Sequence, residues 1–142
     1  SFDMLNELGF SAAEIDAANT YARLEDGKLA DSDLRAAVAK HRMDARAFAL
    51  TQGRSVEESR GGTPGAATSM FKLYGAELNQ RQAELQLQLR GTQGVGWRGD
   101  GHSKEELRLT RHWLNTKSFS IAGGSREIQK NIIAKRVLEL PD

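Results

Sequence analysis

Apolar residues recur along most of this chain at intervals of three and four, the period of one helix face, and no segment alternates as a half-buried strand does. Residues 11–25 read as a helix, opened by Ser11 and Glu14 at the Ser-x-x-Glu capping-box spacing. Phe2, Leu5, Leu8 and Phe10 form a shorter apolar stretch ahead of it. After a break at Asp26-Gly27, a second helix is expected over about 32–53, with Leu34, Val38, Met43, Ala47 and Leu50 as its apolar stripe. GRSVEESRGGT, residues 53–63, reads as a polar loop. Thr63-Pro64 then starts a third helix, with a hydroxyl at the N-cap and proline at the first helical position. That helix, about 64–90, carries Met70, Leu73, Tyr74, Leu78, Leu85 and Leu89.

The glycine-rich GTQGVGWRGDG, residues 91–101, connects it to a fourth helix. Ser103 and Glu106 open that helix with the same capping-box spacing, and it extends to about 119. A last helix over about 126–139 has Ser125 as N-cap, Glu127 in its first turn and Ile128, Ile132, Ile133, Val137 and Leu140 as its apolar stripe. No internal repeat interrupts this series. The pattern predicts an all-α fold, an antiparallel four-helix-type bundle with an additional short helix, in a single domain over residues 1–142.

Composition narrows the function classes. A chain of 142 residues is long enough to bury a core. Lys and Arg total 20 against 19 Asp and Glu, so there is no basic field to draw nucleic acid or an anionic membrane. Without cysteine, disulfides and thiolate metal sites are excluded. No apolar run approaches the roughly 20 residues that span a bilayer, and residues 1–20 lack a signal-peptide core. These features read as a soluble, cytoplasmic protein. The start at Ser1, without a methionine, reads as that of a fragment.

Most apparent motifs dissolve on inspection. Gly94, Gly96 and Gly99 satisfy G-x-G-x-x-G, but the dinucleotide fingerprint needs a preceding strand, and here a helical run precedes it. His41, His102 and His112 have no partner at metal-site spacing, so no metal site is expected and each reads as a surface or packing residue. Trp97 and Trp113 suit either a core or an interface. One joint stands out: Gly123-Gly124 followed by the N-cap Ser125. A helix N-terminus behind glycines presents N–H groups to an anion or polar cofactor, although an ordinary cap accounts for the same residues.

AGGSREIQKNIIAKRVLELP, residues 122–141, closely resembles the C-terminal signature of acyl-CoA dehydrogenases. Upstream, QLRGTQG, residues 88–94, resembles the Gln-x-x-Gly-Gly-x-Gly segment of that family. Ser69-Met70-Phe71-Lys72 with Glu77 resembles the helix preceding it, and residues 21–48 resemble the helix pair before that more loosely. Residues 1–19 carry no signature. The resemblance implies the C-terminal helical bundle of a longer enzyme, without its N-terminal helical and middle β domains. It further implies FAD as cofactor and an acyl-CoA thioester as substrate. Loss of an α-proton and a β-hydride would give the trans-2-enoyl-CoA. Neighbouring subunits of a homodimer or tetramer, or of a hetero-oligomer, and an electron-accepting flavoprotein are the implied partners.

The same resemblance assigns residues. Gln88, Gly91 and Thr92 correspond to FAD contacts made across a subunit boundary, and Ser125 and Glu127 to polar positions near the flavin. Arg23 corresponds to an arginine that meets the FAD pyrophosphate, although Asp26 stands where the family has an aromatic. In the medium-chain type the signature carries the catalytic glutamate at the position of Gly123, which cannot accept a proton. In other members the carboxylate sits on an earlier helix, a position that falls at or before Ser1, with Asp3 and Glu7 the nearest acids. The catalytic base is therefore unassigned. The alternative reading is a non-catalytic helical oligomerisation or interaction subunit that has lost the chemistry.

Overall fold

The computed structural model describes residues 20–21, 24–26, 28–58, 67–122 and 124–141. The helix start at Ser11, the apolar stretch over residues 2–10, Arg23, Thr63-Pro64 and Gly123 lie outside them.

The expected first helix does not run to residue 25. Thr20 and Tyr21 are helical, but Leu24–Glu25 (β1) pairs antiparallel with Lys28–Leu29 (β2), in the register Leu24 with Leu29 and Glu25 with Lys28. Asp26 takes φ 51°, a left-handed value that ends a helix and suits a tight hairpin. Asp-Gly between two short apolar segments is a hairpin signal, and a helical period obscures it here.

Helix α1, Ser32–Glu58, starts where the Asp31 carboxylate accepts the N–H groups of Asp33 and Leu34, both at 3.0 Å. It continues five residues past the expected end at 53. A single interior glycine costs about 1 kcal/mol, which the continuing helical hydrogen bonds outweigh, so Gly53 does not break it. The buried face of α1 also differs from the expected stripe. His41, Ala45 and Phe48 are buried, and Leu34 and Val38 continue that face toward the N-terminus half-buried. Met43, Ala47 and Leu50 lie on the opposite side and are exposed, Met43 at 66% and Leu50 at 55%. At 100° per residue the five expected positions divide between two faces, and packing selects the one bearing Phe48.

Helix α2, Ala67–Leu89, is the centre of the fold and packs against α1, α3 and α4. Leu78, Gln82, Leu85 and Leu89 are buried on it, at steps of four, three and four. Phe71 meets Phe48 of α1 edge-on at 5.9 Å, beside Ala45 and Leu78. Burial of side chains such as Phe48 and Leu78 is worth about 1.5–3 kcal/mol each. Further along, Arg81 Nη1 donates to Asp44 Oδ2 at 2.6 Å. Residue 48 therefore meets 71 and residue 44 meets 81, so the two helices run antiparallel.

A short 3₁₀ turn, Gly91–Val95, leads to helix α3, Lys104–Thr116. The expected capping box is formed: Ser103 Oγ accepts the Glu106 N–H at 3.2 Å, and Glu106 Oε2 accepts the Ser103 N–H at 2.8 Å. Thr110 reaches Gly94 while Lys117 reaches Glu84, so α3 is antiparallel to α2. A second 3₁₀ turn, Lys117–Ser120, completes the helical stretch expected to about 119. Helix α4, Arg126–Arg136, ends before the expected 139. There the Val137 and Leu138 N–H groups both turn back to the Ile133 carbonyl, and Glu139 adopts φ 51°. The expected α4 stripe is only partly covered: Ile132 and Ile133 are half-buried, while Ile128, Val137 and Leu140 are exposed. The architecture is all-α apart from the small hairpin. Among the described residues, no helix is long and apolar enough to cross a membrane.

Candidate functional site

Two glycine-rich joints flank α3, and Gln88, Gly91, Thr92, Ser125 and Glu127 lie at them. At the first, α2 ends in Gln88-Leu89-Arg90 and Gly91 takes φ 55°, a left-handed conformation that glycine adopts without cost at a helix C-terminus. Gln88, Gly91 and Thr92 are exposed there. Arg90 between them is buried: its Nη1 donates to the Gln86 carbonyl at 2.8 Å, and its guanidinium lies 5.3 Å from the centre of the Tyr21 ring.

The chain then folds back against α2. A Cβ on Gly94 would sit 2.4 Å from the Leu87 carbonyl oxygen, and one on Gly96 would sit 2.4 Å from Cγ of His102. Glycine is the residue that fits either place. So the first two glycines of the G-x-G-x-x-G run have a packing cause, while Gly99 takes φ 117° in open space, and a helix, not a strand, lies ahead of the run.

A polar network supports this turn from α3. The Tyr21 hydroxyl donates to Glu106 Oε1 at 2.8 Å, and His102 Nδ1 lies 3.8 Å from Glu106 Oε2. The Ser103 backbone N–H and then the Tyr21 hydroxyl hold the Glu106 carboxyl below its ordinary pKa. The same bond to Glu106 raises the Tyr21 phenol above its ordinary value. Thr110, buried, points its hydroxyl at the Gly94 carbonyl oxygen, 3.2 Å away. The capping box was legible in the sequence. Tyr21 and Thr110 were not, because their partners lie 85 and 16 residues away and no local spacing signals them.

At the second joint, Ser125 caps α4 as expected, its Oγ accepting the Ile128 N–H at 3.4 Å. Gly124 takes φ 123°, and a Cβ there would meet the buried Gln129 amide nitrogen at 2.7 Å. Arg126 Nη2 lies 3.2 Å from Glu77 Oε1 of α2. Beside this pair is a cavity of about 340 Å³ lined by Leu73, Glu77, Gln80, Ile121, Ser125 and Glu127. Ser125 and Glu127 therefore share one recess.

The structure does not bring Gln88, Gly91 and Thr92 into that recess. Gln88 lies eleven residues beyond Glu77 on α2, about 16 Å along the helix axis. Among the described residues, no group of His, Asp and Glu could hold a metal ion.

One segment of this chain ends a helix in Gln-x-x-Gly, and another opens the last helix after Gly-Gly-Ser. The family model for the acyl-CoA dehydrogenase C-terminal domain matches residues 4–138, and this chain belongs to that family of oxidoreductases. It is similar to acyl-CoA dehydrogenase IpdE1 of Mycobacterium tuberculosis (strain ATCC 25618 / H37Rv), with 34% identity over 127 residues. That match covers 89% of this chain and 30% of the relative. It is also similar to acyl-CoA dehydrogenase FadE34 of the same organism, 36% identical over 98 residues, covering 68% of this chain and 12% of the relative. The chain thus spans less than a third of the length of either relative. No solved structure gave a significant match.

Proposed function

We propose that this chain is the C-terminal bundle of an FAD-dependent acyl-CoA dehydrogenase, supplying cofactor contacts and subunit contacts to a longer cytoplasmic enzyme, and that it is inactive as an isolated domain. The observation that carries the reading is the match of the C-terminal-domain family model to residues 4–138. The two candidate half-sites lie about 16 Å apart along α2, so they would meet different parts of a long dinucleotide, with the Gln88–Thr92 turn offered to the recess of a neighbouring bundle.

The residues suit a flavin nucleotide in kind. Gly91 and Thr92 offer side-chain-poor, exposed backbone at a helix end, and Gln88 adds an amide able to donate and accept. Ser125 and Glu127 place a hydroxyl and a carboxylate at the opening of α4, and Arg23 is the candidate for the pyrophosphate. When bound, FAD would take the hydride lost from the β-carbon of the thioester, and an electron-accepting flavoprotein would reoxidise it. Gly123 offers no side chain to take the α-proton, so the carboxylate that does so stands elsewhere in the enzyme or on a partner subunit. The exposed Met43, Ala47 and Leu50 face of α1 supports contact with a neighbouring subunit.

The test is purification of the full polypeptide carrying this bundle. The expected outcome is a yellow protein with flavin absorbance that reduces an artificial electron acceptor when given an acyl-CoA. Absence of flavin, with no uptake of added FAD, would remove the enzymatic reading. A second reading is favoured by Gly123 alone: a helical subunit that oligomerises without chemistry. It predicts a full-length protein that forms a stable complex but reduces no electron acceptor with any acyl-CoA.

A further inference from the structure

The turn that carries Gly91 and Thr92 is gripped from α3 by one hydroxyl. Thr110 Oγ lies 3.2 Å from the Gly94 carbonyl oxygen and 3.2 Å from the Glu106 carbonyl oxygen. Its bond to Glu106, one helical turn back, is the common local habit of a threonine inside a helix. Its approach to Gly94 is different, because it joins α3 to a segment sixteen residues earlier. Gly94 is buried, and its Cα is pressed so close to the Leu87 carbonyl that no side chain fits. Within the turn, the Gln93 N–H donates to the Arg90 carbonyl at 3.1 Å. Four residues between Arg90 and Val95 are thus tied at the Leu87 side, at Arg90 and at Thr110, which leaves little freedom to the backbone of Gly91 and Thr92.

The geometry points to Thr110 as a positioning residue for cofactor binding: its hydroxyl fixes the Gly94 carbonyl and thereby sets the backbone of Gly91 and Thr92 beside Gln88. The inference rests on the assignment of those three residues to FAD. Thr110 touches no ligand and acts through the turn. Preorganisation of a binding loop strengthens binding by removing the ordering cost, so loss of the tie weakens the cofactor while the rest of the bundle keeps its packing.

The experiment uses the full polypeptide with Thr110→Val, which keeps the shape and removes the hydroxyl, and Thr110→Ser, which keeps the hydroxyl. FAD dissociation constants are read from flavin fluorescence, and amide hydrogen exchange is followed across residues 91–96. The expected result is a Thr110→Val protein that binds FAD about 3- to 10-fold more weakly, the worth of one hydrogen bond. Exchange should be faster in the turn but unchanged in α1, and Thr110→Ser should stay within about 2-fold of the parent. Equal affinity in Thr110→Val and parent overturns the inference, as does an equal loss in both variants with faster exchange throughout the bundle. If the unsubstituted protein takes up no FAD, the cofactor assignment itself fails and this inference falls with it, an outcome visible before any variant is made.

Discussion

The two glycine-rich joints look alike in sequence but are held by different means. Gly91–Gly96 is held against backbone and ring: Gly94 lies against the Leu87 backbone, Gly96 against the His102 ring, and Thr110 of α3 reaches the Gly94 carbonyl. The joint at Gly124-Ser125 is held by side chains, through the Ser125 cap, the Gln129 side chain beneath Gly124 and the Arg126–Glu77 pair to α2, with Ile121 69% exposed on its rim. A joint pressed against backbone has little room to shift. One held by side chains can give wherever a side chain turns aside. Glycine count alone says nothing of this distinction; what lies opposite each Cα decides it.

The largest break in the comparison comes at Gly94. Gly94→Ala places a methyl 2.4 Å from a backbone oxygen that cannot step aside, so a loss of about 2–4 kcal/mol is expected in denaturant unfolding. Gly124→Ala meets only the end of a side chain at 2.7 Å, but at φ 123°, and about 1–2 kcal/mol is expected. Gln129→Ala in the same chain should relieve the steric part of that loss and leave the backbone part. A double-mutant cycle reads the coupling, and additive losses would show that Gln129 is not the obstacle.

The two serine caps give a finer test. Ser103 sits in a reciprocal capping box with its Oγ at 3.2 Å, whereas Ser125 makes one longer bond of 3.4 Å. Ser103→Ala is therefore expected to cost about 1–2 kcal/mol and Ser125→Ala about 0.5–1, by thermal or chemical unfolding. Equal losses would mean that the box adds nothing.

Smallest is a difference in pH dependence. The folded Glu106 carboxyl titrates below its ordinary 4.5, so its contribution is present above that value and is lost as pH falls through the lowered one. Glu106→Gln removes the titrating group. The decline in melting temperature between pH 6 and pH 3 should therefore be shallower than in the parent, from a lower starting point. Parallel acid limbs would show that Glu106 is not depressed.

Much of the helix plan was legible in the residues. The Ser103 and Ser125 caps and the C-terminal end of α2 follow from local rules, since each depends on neighbours within four or five positions. The misreadings share one cause. On α1, five apolar positions satisfied the helical spacing only when two opposite faces were read as one. The choice between a face bearing His41, Ala45 and Phe48 and one bearing Met43, Ala47 and Leu50 belongs to α2, which brings Phe71 and Leu78 to the first. At residues 24–29 a helical period ran on into a hairpin because pairing of Leu24 with Leu29 is settled across the turn.

By itself, then, the sequence determined the helical class, the caps and the family, because these rest on short-range spacing and on signatures read in line. Only the tertiary structure decided which face of α1 is buried, why Gly94 and Gly96 are glycines, and that Gln88 and Ser125 do not meet within one bundle. Those depend on which surfaces the packed chain brings together, and on the length of the helix between the two joints.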